Sequence, residues 1–350
     1  MKQLFFSLLI VCSCICFYSY VNKPTSASMA EETAGKLGQT PVVLAYVVSG
    51  SEIMPDPNYV THINYAFGHV NNSFDGIQIQ NEPRLKQITG LKEAHPHLKI
   101  MLSIGGWTSG RFSEMAADDV TRDAFAKDCQ RVIDEFNLDG IDMDWEYPTS
   151  SAAGISSSPQ DMDNFTSLMK EIRNYIGDDK LLTFASAYNA KYYDFKAVDP
   201  YIDFVNIMTY DMGRPPYHNS PLHRSEFTRS MSIEESVQAH VDAGVPLNKL
   251  TLGIPFYGHA IKEIADFIDY KDIHILDADY TLKWDSLGGV PYYVDDEGKF
   301  ICSFDNPESA KLKCEFAKKK EMLGVMYWEY TCDDANGTLR KITYETMYAQ

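Results

Sequence analysis

The sequence reads DGIDMDWEYP over residues 139–148. Within this stretch Asp142, Asp144 and Glu146 recur at every second position among apolar residues. Alternate side chains of a β-strand share one face, so we predict that these three carboxyls point to the same side, roughly 6–7 Å apart. Carboxyls at that spacing in a protein interior share protons and raise at least one pKa. A carboxyl that stays protonated near neutral pH is what a general acid needs.

Strand-like runs recur on both sides of this stretch and alternate with helical patterns. The eight runs are 41–48, 62–68, 98–104, 138–144, 181–187, 202–210, 249–257 and 324–329. Nearly continuous apolar strands that alternate with helices are typical of a parallel sheet covered on its outer face. Eight such units predict an α/β fold, a closed (β/α)8 TIM barrel. Catalytic residues of such barrels follow the C-terminal ends of strands, which is where Glu146 stands.

The connecting segments carry their own signals. Ser232 and Glu235 fit a capping box, and Asn306 followed by Pro307 is typical of a helix start. The first helix is poorly marked, and we place it within 51–60. Residues of about 260–305 are irregular, with strand-like pieces at 292–294 and 299–302. We therefore predict a short β-rich insertion between strand seven and helix seven.

The N-terminal segment differs from the rest of the chain. Lys2 precedes an uncharged run over 4–21, followed by small polar residues. This pattern predicts a signal peptide over 1–30, and hence export to the extracellular space or the cell envelope. Two alternatives stay open: a retained membrane anchor, since the run is about long enough to span a bilayer, and a lipid on Cys14, since residues 11–14 loosely resemble a lipoprotein cleavage box. We predict a linker over 31–40 and one catalytic barrel over 41–350.

Composition excludes several classes of function. The 350 residues include 31 basic and 49 acidic side chains, a formal net charge of −18 at pH 7. Such a surface repels phosphates and anionic lipids, so we expect no nucleic acid partner and favour a neutral or cationic substrate. Nothing in the sequence indicates an obligate protein partner. Cysteines 129, 302, 314 and 332 lack zinc-ligand spacing, and we expect buried thiols, with a disulfide left open.

The carboxylate run resembles the motif of a known family. Asp-x-x-Asp-x-Asp-x-Glu, followed by Tyr-Pro, is similar to the motif of family 18 glycoside hydrolases, the chitinases. Four further segments are similar to that family's motifs and follow in the same order, namely SIGGW at 103–107, MTYDM at 208–212, GIPFYG at 253–258 and MYWE at 326–329. One position departs from the pattern, because many members have arginine where this chain has His259.

The resemblance implies retaining hydrolysis of β-1,4 bonds in chitin or chitooligosaccharides without a cofactor. In this family the substrate's acetamido oxygen attacks its own anomeric carbon and gives an oxazolinium intermediate. The resemblance assigns Glu146 as acid and base, Asp144 as partner of the acetamido N–H, Asp142 as its proton-sharing neighbour, and Tyr210 as partner of the acetamido oxygen. Trp328 would form the floor of the site. The other implied cleft residues are Asp211, Met208, Tyr46, Phe67, Trp107, Tyr147, Gly106 and Tyr257.

Other functions remain compatible with the same motifs. An endo-β-N-acetylglucosaminidase acting on N-glycans would share the fold and the chemistry. A chitin-binding lectin of this fold usually lacks the catalytic glutamate, which this chain retains as Glu146. A metal-dependent barrel lyase would use the three acids as ligands, but the other strand ends show no further carboxylate or histidine set, and we expect no metal.

Several single residues also have a structural interpretation. Met208 and Phe67 are as compatible with core packing as with sugar binding. Asp139 has the opposite strand parity and is compatible with orienting backbone alone. Trp145 is predicted to face outward against a helix, and Trp284 in the insertion is a candidate sugar platform.

Overall fold

The computed structural model describes residues 40–349 and contains a closed barrel of parallel strands. Its sheet consists of β1 (Val42–Val48), β2 (His62–Val70), β3 (Ile77–Ile79), β4 (Lys99–Gly105), β5 (Gly140–Asp144), β6 (Leu181–Ala187), β7 (Phe204–Met208), β8 (Leu250–Pro255) and β14 (Gly324–Trp328). Strand β1 pairs in parallel with both β2 and β14, which closes the barrel. Only the short β3 is antiparallel, as an extension of β2. The predicted (β/α)8 barrel is confirmed.

Helices cover the outside of the barrel. They are α1 (Glu82–Thr89), α2 (Phe112–Ala117), α3 (Asp119–Phe136), α4 (Asp161–Ile176), α5 (Phe195–Val198), α6 (Ile233–Ala243), α7 (Pro307–Lys319) and α8 (Thr338–Tyr348). The expected capping boxes begin α6 at Ser232 and α7 at Asn306. In each box the first side chain accepts from a backbone N–H one turn later, which satisfies a donor that the helix leaves free.

The helix expected within 51–60 is wrong. This segment is mostly irregular, with a turn at 57–58, and leads directly from β1 to β2. Pro55 and Pro57 explain the difference, because a proline lacks an N–H donor and disfavours the helical conformation of the residue before it. The backbone instead turns at Asp56, whose carboxylate accepts from the N–H of Asn58 at 3.0 Å.

Strand alternation divides the buried side chains into two sets. On β1, Val43, Ala45 and Val47 pack against the helices, whereas Leu44 and Tyr46 point into the barrel. The barrel interior also holds polar side chains that are fully buried, namely Asn64, Ser103, Asp142, Thr183, Asn206 and Thr251. Burying polar groups is costly unless they are hydrogen-bonded. Ser103, Thr183 and Asn206 donate to Asp142, and Thr251 donates to Asn206. Both polar atoms of the Asn64 side chain lack a hydrogen-bond partner among the described residues.

A second sheet lies between β8 and α7. Its antiparallel strands are β9 (Tyr257–Ala260), β10 (Ile268–Asp269), β11 (Thr281–Asp285), β12 (Val290–Val294) and β13 (Phe300–Ser303), in the order β10-β9-β13-β12-β11. The segment predicted as a β-rich insertion falls in this region, and the sheet starts slightly earlier, at Tyr257. We call this sheet and its connections the insertion.

Cysteines 129, 302, 314 and 332 are buried free thiols. Within residues 40–349, none of the helices is both long and apolar enough to cross a bilayer. The predicted signal peptide, Cys14 and nearly all of the predicted linker lie outside the described residues.

Candidate active site

The carboxylate row stands where β5 meets the mouth of the barrel. The strand ends at Asp144, so Glu146 lies just beyond it. Asp142 is fully buried inside the barrel, Asp144 is 3% exposed, and Glu146 is partly buried. A cavity of about 640 Å³ opens above them, and both Asp144 and Glu146 line it.

Asp142 is the centre of the interior network. Its Oδ2 accepts hydrogen bonds from the hydroxyls of Tyr46 at 2.9 Å and Ser103 at 2.8 Å. Its Oδ1 accepts from the hydroxyl of Thr183 at 2.6 Å and the amide of Asn206 at 3.0 Å. Burial raises the pKa of Asp142, and these four hydrogen bonds oppose that rise. Because the donors come from β1, β4, β6 and β7, the carboxyl is fixed in place beneath the cavity.

Asp144 is buried but not fully paired. Its Oδ1 is buried and has no hydrogen-bond partner among the described residues. Burial, together with the neighbouring charges of Glu146 and Asp142, raises its pKa well above the ordinary value. An unpaired buried oxygen costs stability, and it is positioned to bond a polar group that enters the cavity.

Glu146 has the pKa of a general acid. Its pKa is raised from 4.5 to about 7, chiefly because burial disfavours the charged carboxylate. A hydrogen bond with Tyr147 lowers the pKa, and the negative charge of Asp211 raises it. A substantial fraction of this carboxyl is therefore protonated near neutral pH and can give a proton to a bound molecule.

Aromatic side chains form the floor of the cavity. The ring of Trp328, at the end of β14, lies 5.6 Å from the ring of Phe67 and 5.5 Å from that of Tyr46, centroid to centroid. Gly106 lies behind Phe67 and does not line the cavity; a Cβ atom there would stand 2.7 Å from the Phe67 ring. The absence of a side chain at Gly106 leaves room for Phe67, and its expected contact with substrate stays a prediction.

Tyr210 and Asp211 follow the end of β7 on the opposite wall. The Tyr210 hydroxyl is 3.9 Å from the sulfur of Met326. Oδ1 of Asp211 accepts from the hydroxyl of Tyr257 at 2.8 Å and contacts Nε2 of His259 at 2.5 Å. The surrounding protein desolvates this carboxyl and favours its neutral form, but the His259 and Tyr257 hydrogen bonds outweigh that effect and lower the pKa of Asp211.

The structure brings most of the sequence-predicted site residues together around one cavity. Those that line it are Tyr46, Phe67, Trp107, Asp144, Glu146, Tyr147, Met208, Tyr210, Asp211, Tyr257 and Trp328. Asp142 lies beneath the cavity and Gly106 behind its wall.

Sequence reasoning missed several lining residues, namely Ala152, Ala187, Tyr188, Asn189, Tyr192, Arg214 and Phe267. Tyr188 and Asn189 directly follow β6, so their position at a strand end was an available signal. Tyr192 stacks on Tyr147 with ring centroids 4.7 Å apart, a contact that no spacing in the sequence indicates.

The structure also shows where Asp139, Trp145 and Trp284 lie. Asp139 accepts from the backbone N–H of Ile100 at 2.8 Å, at the start of β5 and away from the cavity. Trp145 is fully buried and stacks on Phe112 of α2, as expected for an outward-facing position. Trp284, on β11, does not line the cavity. Within residues 40–349 no group of three or more acidic, histidine or cysteine side chains is arranged to hold a metal ion.

A closed (β/α)8 barrel with a protonatable glutamate beside buried aspartates and an aromatic floor defines a glycoside hydrolase. The sequence matches Glycosyl hydrolases family 18 over residues 37–333, and the chain belongs to that family.

Named relatives share most of this chain. Chitinase A1 of Niallia circulans is 30% identical over 92% of this chain and 59% of its own length. Probable chitinase 2 of Drosophila melanogaster is 29% identical over 92% of this chain and 79% of its own. The chain thus spans less than two thirds of chitinase A1.

A solved structure of similar size is that of a family 18 N-acetylglucosaminidase from Paenibacillus barengoltzii. It is 33% identical in sequence, with a TM-score of 0.78, and the match covers 88% of this chain and 100% of the Paenibacillus chain.

Proposed function

We propose that this chain hydrolyses the β-1,4 bonds of chitin or chitooligosaccharides, with retention of configuration and with help from the substrate's own acetamido group. The observation that carries this proposal is the pair of Asp144 and Glu146 in one cavity, the first with an unpaired buried oxygen and the second with a pKa of about 7. The names of the relatives, which are chitinases and an N-acetylglucosaminidase, support the choice of substrate.

In the first step Glu146 donates its proton to the glycosidic oxygen that leaves. The sugar that keeps the reacting anomeric carbon carries an acetamido group, and the carbonyl oxygen of that group attacks the anomeric carbon. The bond between the anomeric carbon and the glycosidic oxygen then breaks, and the other sugar leaves. The resulting oxazolinium ion carries a positive charge. Asp144 accepts a hydrogen bond from the acetamido N–H and stabilises that charge, and the Tyr210 hydroxyl bonds the acetamido oxygen.

In the second step Glu146, now a carboxylate, takes a proton from water. The water oxygen attacks the anomeric carbon on the face that the leaving group vacated, and the oxazolinium ring opens. Two inversions at one carbon give net retention, so the product has the β configuration. Asp142 shares a proton with Asp144, and the two carboxyls titrate as a pair.

The aromatic floor fits this chemistry. A flat indole covers the apolar face of a pyranose ring, and Trp328 presents one beside Phe67 in the cavity. We propose that Trp328 supports the sugar whose anomeric carbon reacts, in the cavity that Glu146 also lines.

The test is turnover of chitopentaose by the purified protein and its E146Q variant. E135Q is the matched control, because Glu135 lies on α3 in a surface pair with Arg131. The proposal expects chitooligosaccharide products, unchanged turnover in E135Q, and a loss of about 10³-fold or more in E146Q, the size typical of removing an acid–base catalyst.

Two outcomes would contradict the proposal. Binding of chitopentaose without any product would favour a lectin. Cleavage of a high-mannose glycopeptide in place of chitopentaose would favour an N-glycan-directed enzyme of the same fold.

A further inference from the structure

An exposed aromatic ring lines the cavity on the side of the insertion. Phe267 lies between β9 and β10, at the start of the insertion. Of the aromatic residues that line the cavity, Phe267 and Trp107 are the two most exposed, at 44% and 55%. Apolar surface left open to water beside a cavity is typical of a site that a ligand covers.

The protein holds the Phe267 ring in place. The ring stacks on that of Tyr257, with centroids 4.1 Å apart and an angle of 16° between the planes. The residue before it, Asp266, accepts a hydrogen bond from the guanidinium of Arg214 at 2.6 Å, and β10 follows at once and pairs with β9. One face of the ring is thus covered by protein, and the exposed part needs little further ordering when a ligand binds.

The order of the barrel strands gives the position of this ring relative to the acid. Strand β5, which leads to Glu146, and strand β14, which ends at Trp328, are opposite each other, because β8, β7 and β6 separate them on one side and β1, β2 and β4 on the other. Trp107 follows β4, next to β5, whereas Phe267 follows β8 and β9, next to β14. The two exposed rings therefore lie on opposite sides of the barrel mouth.

The proposed reaction assigns a direction to the sugar chain across this mouth. Glu146 protonates the oxygen of the leaving sugar, so the leaving sugar lies on the side of β5. The sugar that reacts rests on Trp328, and the sugar before it, toward the non-reducing end, then lies on the side away from Glu146. Phe267 presents its ring on that side.

We propose that Phe267 is a binding platform for the second sugar, counted from the cleaved bond toward the non-reducing end, and that it makes the enzyme favour two-sugar units over single ones. This inference rests on the proposed function for the direction of the chain. A flat ring covers the apolar face of a pyranose. Arg214 lines the same cavity and offers N–H donors to the hydroxyl or acetamido oxygens of that sugar.

The test compares two aryl glycosides that share a leaving group. Methylumbelliferyl β-glycosides of N-acetylglucosamine and of chitobiose differ only in the second sugar, so the ratio of their kcat/KM values isolates the contact with that sugar. The proposal expects the wild type to favour the chitobioside, and F267A to lower the ratio on the order of tenfold. A defect in folding or in the acid–base chemistry lowers both kcat/KM values and leaves their ratio.

Three further variants are controls. F267W keeps a flat ring and should keep most of the preference, whereas F267L keeps apolar bulk without a flat ring and should behave as F267A does. L287A is the matched control, because Leu287 is an exposed apolar side chain of the insertion that does not line the cavity. Its ratio should equal that of the wild type.

The outcomes separate the two proposals. An F267A ratio equal to that of the wild type, or a wild type that favours the single-sugar glycoside, overturns the inference and leaves the proposed function standing. If the wild type cleaves neither glycoside nor chitopentaose, the proposed function fails, and calorimetry of chitobiose binding then decides the platform. Weaker binding to F267A than to the wild type supports it, and equal affinity or no binding to either overturns it.

Discussion

Glu146 keeps its proton to a higher pH than an ordinary glutamate because the folded chain withdraws it from water beside other carboxyls. Asp142 and Asp144 are also buried carboxyls, but they differ in their hydrogen-bond partners. Asp142 receives hydrogen bonds from four strands, whereas one oxygen of Asp144 goes without a partner. The site therefore stores unfavourable free energy at the atoms that would meet the substrate.

The stored free energy predicts that E146Q is more stable than the wild type at alkaline pH. The pKa of Glu146 is raised from 4.5 to about 7 on folding, so the wild type loses stability as pH rises through that interval. Glutamine does not ionise, and above pH 7 the variant should gain about 1–3 kcal/mol, since one pKa unit corresponds to ~1.4 kcal/mol and partial contact with water reduces the effect. Urea unfolding at pH 5 and pH 9 measures this.

The quantity to compare among the wild type, E146Q and E135Q is the change in the free energy of unfolding between pH 5 and pH 9. E135Q, at an exposed position, should follow the wild type at both. Equal stability of E146Q and the wild type at pH 9 would mean that Glu146 is not strained by its surroundings.

At the scale of elements, the barrel strands were predictable and several connections were not. Most barrel strands are largely apolar runs, as buried strands usually are, and all eight expected runs lie within a few residues of the observed strands. Residues 51–60 form a loop where the barrel pattern predicts a helix, because Pro55 and Pro57 disfavour the helical conformation there.

The residues of the candidate site likewise include some that the sequence predicts and some that it does not. The residues at strand ends, such as Asp144 and Trp328, are fixed by strand alternation, which a sequence displays. Arg214 and Phe267 come from irregular segments after β7 and within the insertion, and their arrival at the cavity depends on three-dimensional packing. The partners of His259 could not be predicted for the same reason.

The turn that ends β4 allows a test of how an element shapes the cavity. Gly106 has φ +92°, and a Cβ atom there would meet the Phe67 ring at 2.7 Å. G106A should therefore push Phe67 from its stack on Trp328 and raise KM for chitopentaose by an order of magnitude or so, with about 1–3 kcal/mol lost from stability. Steady-state kinetics and urea unfolding measure the two effects.

G298A is the matched control. Gly298 has φ +82°, with nothing within 4 Å of a Cβ atom, so its substitution strains the backbone alone. It should lose stability and keep its KM. An unchanged KM in G106A would mean that Phe67 does not contribute to substrate binding.

At the scale of the whole molecule, a buried histidine joins the insertion to the barrel. His218, in the segment after β7, contacts Asp285 of β11 and Ser303 of β13, each at 3.1 Å. The rings of Phe227, Tyr292 and Phe300 surround it. The segment that carries Asp211 thus depends on the insertion for its position.

D285N tests this connection. Burial favours the neutral form of Asp285, but hydrogen bonds from His218 and neighbouring groups outweigh it and hold its pKa far below the ordinary 3.8. The carboxylate therefore contributes stability above pH 3.8 that is lost as pH falls through its lowered pKa. We expect D285N to lose about 1–3 kcal/mol at pH 7, and the difference from the wild type to shrink at pH 3.

Urea unfolding at the two pH values measures this difference. D296N, an exposed neighbour in the hairpin between β12 and β13, should match the wild type throughout. A D285N variant as stable as the wild type at pH 7 would show that the connection contributes nothing.

The measurement that tests the central claim most directly is the configuration of the first product. ¹H NMR of chitopentaose during the first minutes of cleavage resolves the anomeric protons of the new reducing ends before mutarotation. The substrate-assisted mechanism predicts that the β anomer forms first and that the α anomer appears later by mutarotation. New reducing ends that appear first as the α anomer would mean inversion at the anomeric carbon, and would contradict the roles assigned to Glu146, Asp144 and the acetamido group.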